Sequence, residues 1–265
     1  MLQSDKELLD RNILPSEQKS FSPLAKDWWN KKNGPACVIH DMNDFRIKLI
    51  FDYLISTGVL KPWQRNQPDA LQGLKILDLG CGGGILTEPL ARLKAQMTGI
   101  DPNEDLIAVA KEHIEPQKDI SDNVVYLTET IEEHCEKFSN YYDLVICSEV
   151  LDHVPDRKSI LVAASKVLKN GGSIFVSTFN KTFWSWFLAI VCGEYILRVI
   201  PRGSHHYNMF ISPQEVSDIL KELNFKTKSL KGFLYNLITR KFYVHNWIGF
   251  SYALHAVKGK ENLIE

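Results

Sequence analysis

Between residues 74 and 180 the sequence sets five short β-rich runs in alternation with four helical stretches. The runs are "LKILDLG" (74–80), "QMTGID" (96–101), "NVVYLTE" (123–129), "YDLVICS" (142–148) and "GGSIFVSTFN" (171–180). "ILTEPLARLKA", "NEDLIAVAKEHI", "TIEEHCEKF" and a segment near 157–169 carry helical patterning between them. Few folds accept this rhythm, because strands separated by helices of about ten residues build βαβ units and a parallel sheet. The expected class is therefore α/β with helices on both faces of a mostly parallel sheet.

The flanks read differently. Residues 1–60 read as helical, with Phe45, Leu49, Ile50, Tyr53 and Leu54 at helical spacing. This predicts an N-terminal helical cap over 1–60 and a main domain over 61–265. An apolar segment breaks the rhythm at about 182–203, "SPQEVSDILKELNF" opens with a helix start signal, and "FSYALHAVK" reads as a last strand. A chain of 265 residues suits one substantial core.

"LDLGCGGG", Leu77 to Gly84, falls where the first strand ends and the first helix begins. Gly80, Gly82 and Gly84 alternate there, and glycine is needed where backbone takes positive φ or approaches a ligand closely. In an open parallel sheet the ligand crevice lies outside the carboxyl ends of the strands. Asp101 ends the second strand, where an acid accepts hydrogen bonds from ribose hydroxyls. A dinucleotide fingerprint, G-x-G-x-x-G, needs glycine at 85, and Ile85 stands there. The G-x-G-x-G spacing behind an acid instead fits an adenosylmethionine loop.

A net charge of −1 argues against holding nucleic acid through phosphate contacts. Five scattered cysteines without a C-x-x-C pair argue against a disulfide framework or a zinc–cysteine site. "MLQSDKELLDRN" is neither a signal peptide nor a transit peptide, which predicts no targeting or a presequence outside these residues. The uninterrupted apolar run Phe183–Cys192 is half the roughly 20 residues a bilayer-spanning helix needs, so it does not span.

"SEVLDHVPD" directly follows the fourth strand. Glu149, Asp152 and His153 share a face if the segment is helical, and two carboxylates with an imidazole can hold a divalent cation. The plainer reading is an acidic helix start, with Asp156 opening the next element.

"FSPLAKDWW", "IHDMNDFR", "LDLGCGGG", "SEVLDHVPD", "EYILRVIPRGSHHYNMFISP" and "ALHAVK" together resemble the ubiquinone biosynthesis O-methyltransferases, from about Phe21 to Lys258. The glycine loop and the acidic segment recur across class I methyltransferases; the Trp-Trp, His-x-x-Asn and "EYILRVIPRGSHH" segments are more particular. The resemblance implies a Rossmann-like seven-stranded sheet with one reversed strand near the C-terminus. It implies methyl transfer from S-adenosylmethionine to a hydroxyl of a polyprenylated catechol or quinol. Its cofactor contacts fall on Arg46, Gly80, Asp101 and Ser148; its Mg²⁺ ligands fall on Glu149, Asp152 and His153, the last also a candidate base. Asp152 stands where glutamate is usual, one methylene shorter, and "ACVIHDMN" departs from the family's proline-leucine-histidine approach.

His205 and His206 are candidates for a substrate-facing base or are surface residues. Trp28 and Trp29 read as packing, with lining of the site by either as the alternative, and His40 and His255 read as structural. Trp184–Ile200 reads as a buried helix or as an interfacial one admitting a polyprenyl tail, with Arg198 and Arg202 at its far end. The expected enzyme is a metal-assisted O-methyltransferase at a membrane surface, with other ubiquinone biosynthesis proteins as possible partners. A metal-independent methyltransferase of the same fold and a weakly active scaffold subunit are the alternatives; the intact glycine loop with Asp101 argues against the scaffold. "NKTFWSWFLAIV" and "GIDPNEDLI" resemble the eukaryotic branch, which implies the matrix side of the mitochondrial inner membrane, with bacterial cytoplasm the alternative.

Overall fold

The computed structural model describes residues 12, 14, 21–197 and 203–259. Its centre is one eight-stranded sheet: β1 Lys75–Leu79, β2 Gln96–Asp101, β3 Val124–Thr128, β4 Tyr142–Ser148, β5 Leu168–Phe179, β6 Phe225–Asn236, β7 Lys241–His245 and β8 Ser251–Lys258. The order is β3-β2-β1-β4-β5-β8-β6-β7. Strands β1 to β5 are mutually parallel, and β8 enters antiparallel between β5 and β6.

Residue alternation along the strands builds both faces of the core. On β1, Ile76 faces one apolar layer and Leu77 the other; on β4, Leu144 and Ile146 oppose Val145 and Cys147. With both faces covered, these strands read as nearly continuous apolar runs. The helices follow from their caps. Asn103 Oδ1 accepts from the N–H groups of Asp105 and Leu106 to start α3 (Glu104–Ile114), after α1 (Cys37–Ser56) and α2 (Thr87–Arg92). Thr130 and Glu133 form a capping box on α4 (Ile131–Lys137), and Asp156 caps α5 (Arg157–Val167) through Ser159 N.

The eighth strand corrects the expected seven. β6 folds back through residues 237–240 onto β7, so β7 and β8 both run against the rest. This turn lacks the Asn-Gly or Asp-Gly pair that announces a hairpin. Asn236 Oδ1 closes it instead, accepting from Ile238 N and Thr239 N, while Arg240 takes φ 52°. The Arg240 guanidinium is anchored on Asp41 of α1, which also accepts from Tyr235 Oη.

The apolar segment forms a short helical turn, Phe183–Ser185, continued by a π-helix, Trp186–Ile196. Its buried stripe is small: Ser185, Ala189 and Gly193, spaced by four, with Glu194 beside them. Phe183, Trp184, Trp186, Tyr195, Ile196 and Leu197 are exposed. Arg198 and Arg202 lie outside the described residues. Among the described residues, no helix is long and apolar enough to cross a membrane.

Candidate functional site

In this strand order the chain reverses its winding between β1 and β4, and the carboxyl ends of those neighbours frame the crevice where ligands bind in open α/β sheets. Gly80 follows β1 and Ser148 ends β4, so the sheet itself brings both to that crevice. A cavity of about 310 Å³ opens there; Arg46, Gly80, Asp101, Ser148, Glu149, His153 and His205 all line it.

Gly80 has φ 69°, and a Cβ on it would lie 2.5 Å from Val150 Cγ2, so only glycine fits. The loop is tied to β2: Gly80 N and Cys81 N both donate to Ile100 O, and Gly82 N donates to Asp101 Oδ2 at 3.0 Å. Asp101 Oδ1 accepts from Asn103 N at 2.9 Å. Burial outweighs these two hydrogen bonds and pushes the Asp101 carboxyl up to about 6. Asp78, beneath the loop, is also raised to about 6 by burial, although Thr87 Oγ1 donates to it.

Arg46 is buried, not a solvated surface arginine. It donates to Ser148 Oγ at 3.3 Å, Ile39 O at 3.2 Å and Asn43 Oδ1 at 2.5 Å, while its Nε has no hydrogen-bond partner. A buried cation with a donor to spare, at the edge of a cavity, fits an anionic ligand group.

The segment after β4 is a turn rather than a helix, and Glu149 takes φ 57° in it. The face-sharing that helical spacing would give is therefore absent. Glu149 Oε1 accepts from Ser177 Oγ at 2.6 Å, and burial together with the neighbouring Asp152 raises its carboxyl to about 7. Asp152 is 2% exposed; Oδ1 accepts from Thr178 Oγ1, whereas Oδ2 makes no hydrogen bond. That oxygen lies 3.7 Å from His153 Nε2 and 3.9 Å from His205 Nε2. One ligand atom each from Asp152, His153 and His205 fall within 4.8 Å of one another, and Glu149 is not part of this cluster. A buried, unpaired carboxylate oxygen between two imidazoles fits a divalent cation.

Sequence reasoning did not find Ser177, Thr178 or Glu194. The first two look like ordinary strand residues, and Glu194 looks like a charge that merely interrupts an apolar run. His206 is exposed beside the half-buried His205. His40 Nε2 meets Trp28 O at 3.0 Å, and His255 stacks on Tyr53. Trp29 stacks on His113 with ring centroids 3.4 Å apart and donates through Nε1 to Gly83 O.

Fold, glycine loop and crevice together define a class I methyltransferase, and residues 70–224 match the methyltransferase domain family. The chain is 35% identical over 247 residues to the ubiquinone biosynthesis O-methyltransferase of Proteus mirabilis (strain HI4320), covering 93% of this chain and 94% of that protein. It is 38% identical over 244 residues to the mitochondrial ubiquinone biosynthesis O-methyltransferase of Homo sapiens, covering 92% of this chain and 65% of the human one. Among solved structures, magnesium protoporphyrin IX methyltransferase from Synechocystis PCC 6803 with bound SAH shares the fold at TM-score 0.61 and 19% identity, over 91% of this chain and 97% of that one. The chain thus belongs to the ubiquinone biosynthesis O-methyltransferase family, and its enzyme class is S-adenosylmethionine-dependent O-methyltransferase.

Proposed function

We propose that this chain methylates a hydroxyl of a polyprenylated catechol or quinol in ubiquinone biosynthesis, with a divalent cation at the acceptor. The supporting observation is one continuous cavity, with Arg46, Gly80 and Asp101 among its lining residues and His153 and His205 lining it as well. S-adenosylmethionine, when bound, supplies an electrophilic methyl group. Arg46 pairs with its carboxylate, the Gly80 loop gives it room, Asp101 accepts from its ribose hydroxyls and Ser148 closes the side between them. A cation held by Asp152 and His153, when bound, supplies Lewis-acid stabilisation to the phenolate oxygen. The remaining contribution is positional: holding acceptor oxygen and methyl carbon in line converts a bimolecular encounter into an oriented one.

Residues 21–60, the continuous described part of the N-terminal segment, act as a lid. Trp28 packs against the glycine loop, and Phe21 lies edge-on to His153 with centroids 5.5 Å apart. The exposed aromatic turn at Phe183, Trp184 and Trp186 rests on a membrane surface and admits the polyprenyl tail.

The test is methyl transfer from labelled S-adenosylmethionine to a short-chain prenylated catechol, before and after EDTA and then with Mg²⁺ or Mn²⁺ restored. Turnover lost to EDTA and recovered with metal is the expected result. Turnover indifferent to EDTA removes the cation and favours the metal-independent reading. Cofactor binding without turnover overturns the acceptor class.

A further inference from the structure

His205 carries an unusual set of partners for a loop histidine. Glu194, on the inner side of the π-helix and fully buried, holds it twice: Oε1 lies 2.9 Å from His205 N and 3.1 Å from His205 Nδ1. Glu194 Oε2 accepts from Gly203 N at 2.7 Å. Both carboxylate oxygens therefore accept backbone N–H groups, and the imidazole Nδ1–H is directed at one of them. This fixes the ring in the tautomer whose Nε2 keeps its lone pair. Phe179 packs edge-on against the same ring with centroids 4.9 Å apart and holds its orientation.

That Nε2 faces the unpaired Asp152 Oδ2 at 3.9 Å, beyond hydrogen-bond reach. His153 Nε2 faces the same oxygen at 3.7 Å. Two donors about 2.1 Å from a shared ion stand at most about 4.2 Å apart; both separations from Asp152 Oδ2 lie inside that span, and the three ligand atoms all fall within 4.8 Å of one another. A carboxylate–histidine pair with the second ring nitrogen turned toward the ion is the usual outer support of a metal-bound imidazole. Glu149 lies outside this cluster, and its Oε1 accepts from Ser177 Oγ at 2.6 Å.

We infer that His205 is a ligand of the divalent cation, positioned by Glu194, so that the donor set is Asp152, His153 and His205. This rests on the reading that a cation binds at all. One carboxylate and two imidazoles make a softer set than the all-oxygen shell Mg²⁺ ordinarily takes, and they suit a first-row transition ion. The two sides of the π-helix then differ in what they do. The buried carboxylate on its inner side sets a ligand, while its outer face stays apolar and exposed.

Mn²⁺ titration of the full chain, read by the EPR signal of free Mn²⁺, tests this directly, with spin-echo modulation counting the imidazole nitrogens on the bound ion. Two imidazoles are expected in the wild type and one in His205→Ala, with at least tenfold weaker binding. Glu194→Gln should weaken binding about 10- to 100-fold, the usual effect of losing an outer partner. A wild-type spectrum with a single imidazole overturns the inference without any variant. Undiminished binding by His205→Ala alongside loss in Glu149→Gln also overturns it, leaves the cation reading standing and returns the ligand to Glu149. Failure of the wild type to bind Mn²⁺ overturns both.

Discussion

Arg46 and Glu149 stand at opposite ends of one directional hydrogen-bond chain. Arg46 donates to Ser148 Oγ at 3.3 Å, Ser148 meets Ser177 Oγ at 2.8 Å, and Ser177 donates to Glu149 Oε1 at 2.6 Å. Because Glu149 only accepts when ionised and Arg46 only donates, both hydroxyls are oriented the same way. The chain couples Arg46, which lines the cavity, to the acidic segment after β4 through β5.

Ser177→Ala breaks this chain in the middle and leaves a buried carboxylate without its donor. The expected loss is about 1–3 kcal/mol of folding stability, and it depends on pH. Glu149 is raised to about 7 in the folded protein from an ordinary 4.5. Its contribution to stability is thus fully present below about 4.5 and is lost as pH rises through about 7. Removing Ser177 raises the folded value further, so the variant's deficit should be larger at pH 8 than at pH 5.5. Urea unfolding at both pH values checks this; an equal deficit at both would show that Ser177 contributes packing alone.

Asp101 yields a prediction about the cofactor. Its carboxyl sits near 6 in the free protein through burial, and in the proposed cofactor site it is the ionised form that accepts best from the ribose hydroxyls. Affinity for S-adenosylhomocysteine should hold above pH 7 and fall as pH drops through about 6, approaching tenfold per unit below it. Asp101→Asn should bind weakly and show no such slope. Calorimetry at pH 5.0 and 7.5 on both proteins is the measurement, and a pH-independent wild type would remove Asp101 from the ribose.

How much of this was legible beforehand follows from how local each signal is. Strands β1 to β4 were readable within a residue or two, because buried parallel strands are continuous apolar runs and their boundaries carry caps such as Asn103 and Thr130. Gly80 and Asp101 were readable because strand order alone carries them to one crevice. The β6–β7 hairpin was not, since Arg240 holds its left-handed turn through Asp41, about two hundred positions away. Helical spacing suggested Glu149 as a companion of Asp152 and His153, but the segment turns instead, and His205 arrives from a distant loop. Glu194 and His205 are eleven positions apart in a stretch whose apolar character hides the pair.

Gly83 carries a requirement of the same long-range kind. Its φ is ordinary, but a Cβ there would lie 2.3 Å from Trp28 Cδ1, which belongs to the proposed N-terminal lid. Gly83→Ala should force Trp28 off the loop at a cost of about 1–3 kcal/mol, typical of overpacking. Since the sheet core is untouched, the cost should appear in lid docking. Hydrogen exchange should rise over residues 21–36 while β1 and β4 stay protected. Unchanged exchange in the lid would mean that Trp28 repacks at no expense.

The outer face of the π-helix supplies the last prediction. Phe183 is 60% and Trp184 52% exposed, adjacent on a turn whose inner residues are small and already buried. Burying two such rings in an interface at about 25 cal/mol per Å² is enough to change partitioning by more than tenfold. Phe183→Ser with Trp184→Ser should therefore cut flotation with phosphatidylcholine–cardiolipin vesicles at least tenfold. It should leave the melting temperature and S-adenosylhomocysteine affinity unchanged, because neither ring supports the core. Turnover of a short-chain, water-soluble acceptor should survive, while turnover of a long-tailed acceptor in vesicles should fall with the flotation. Equal flotation by wild type and double variant would detach the aromatic turn from any membrane role and leave its exposure to another partner.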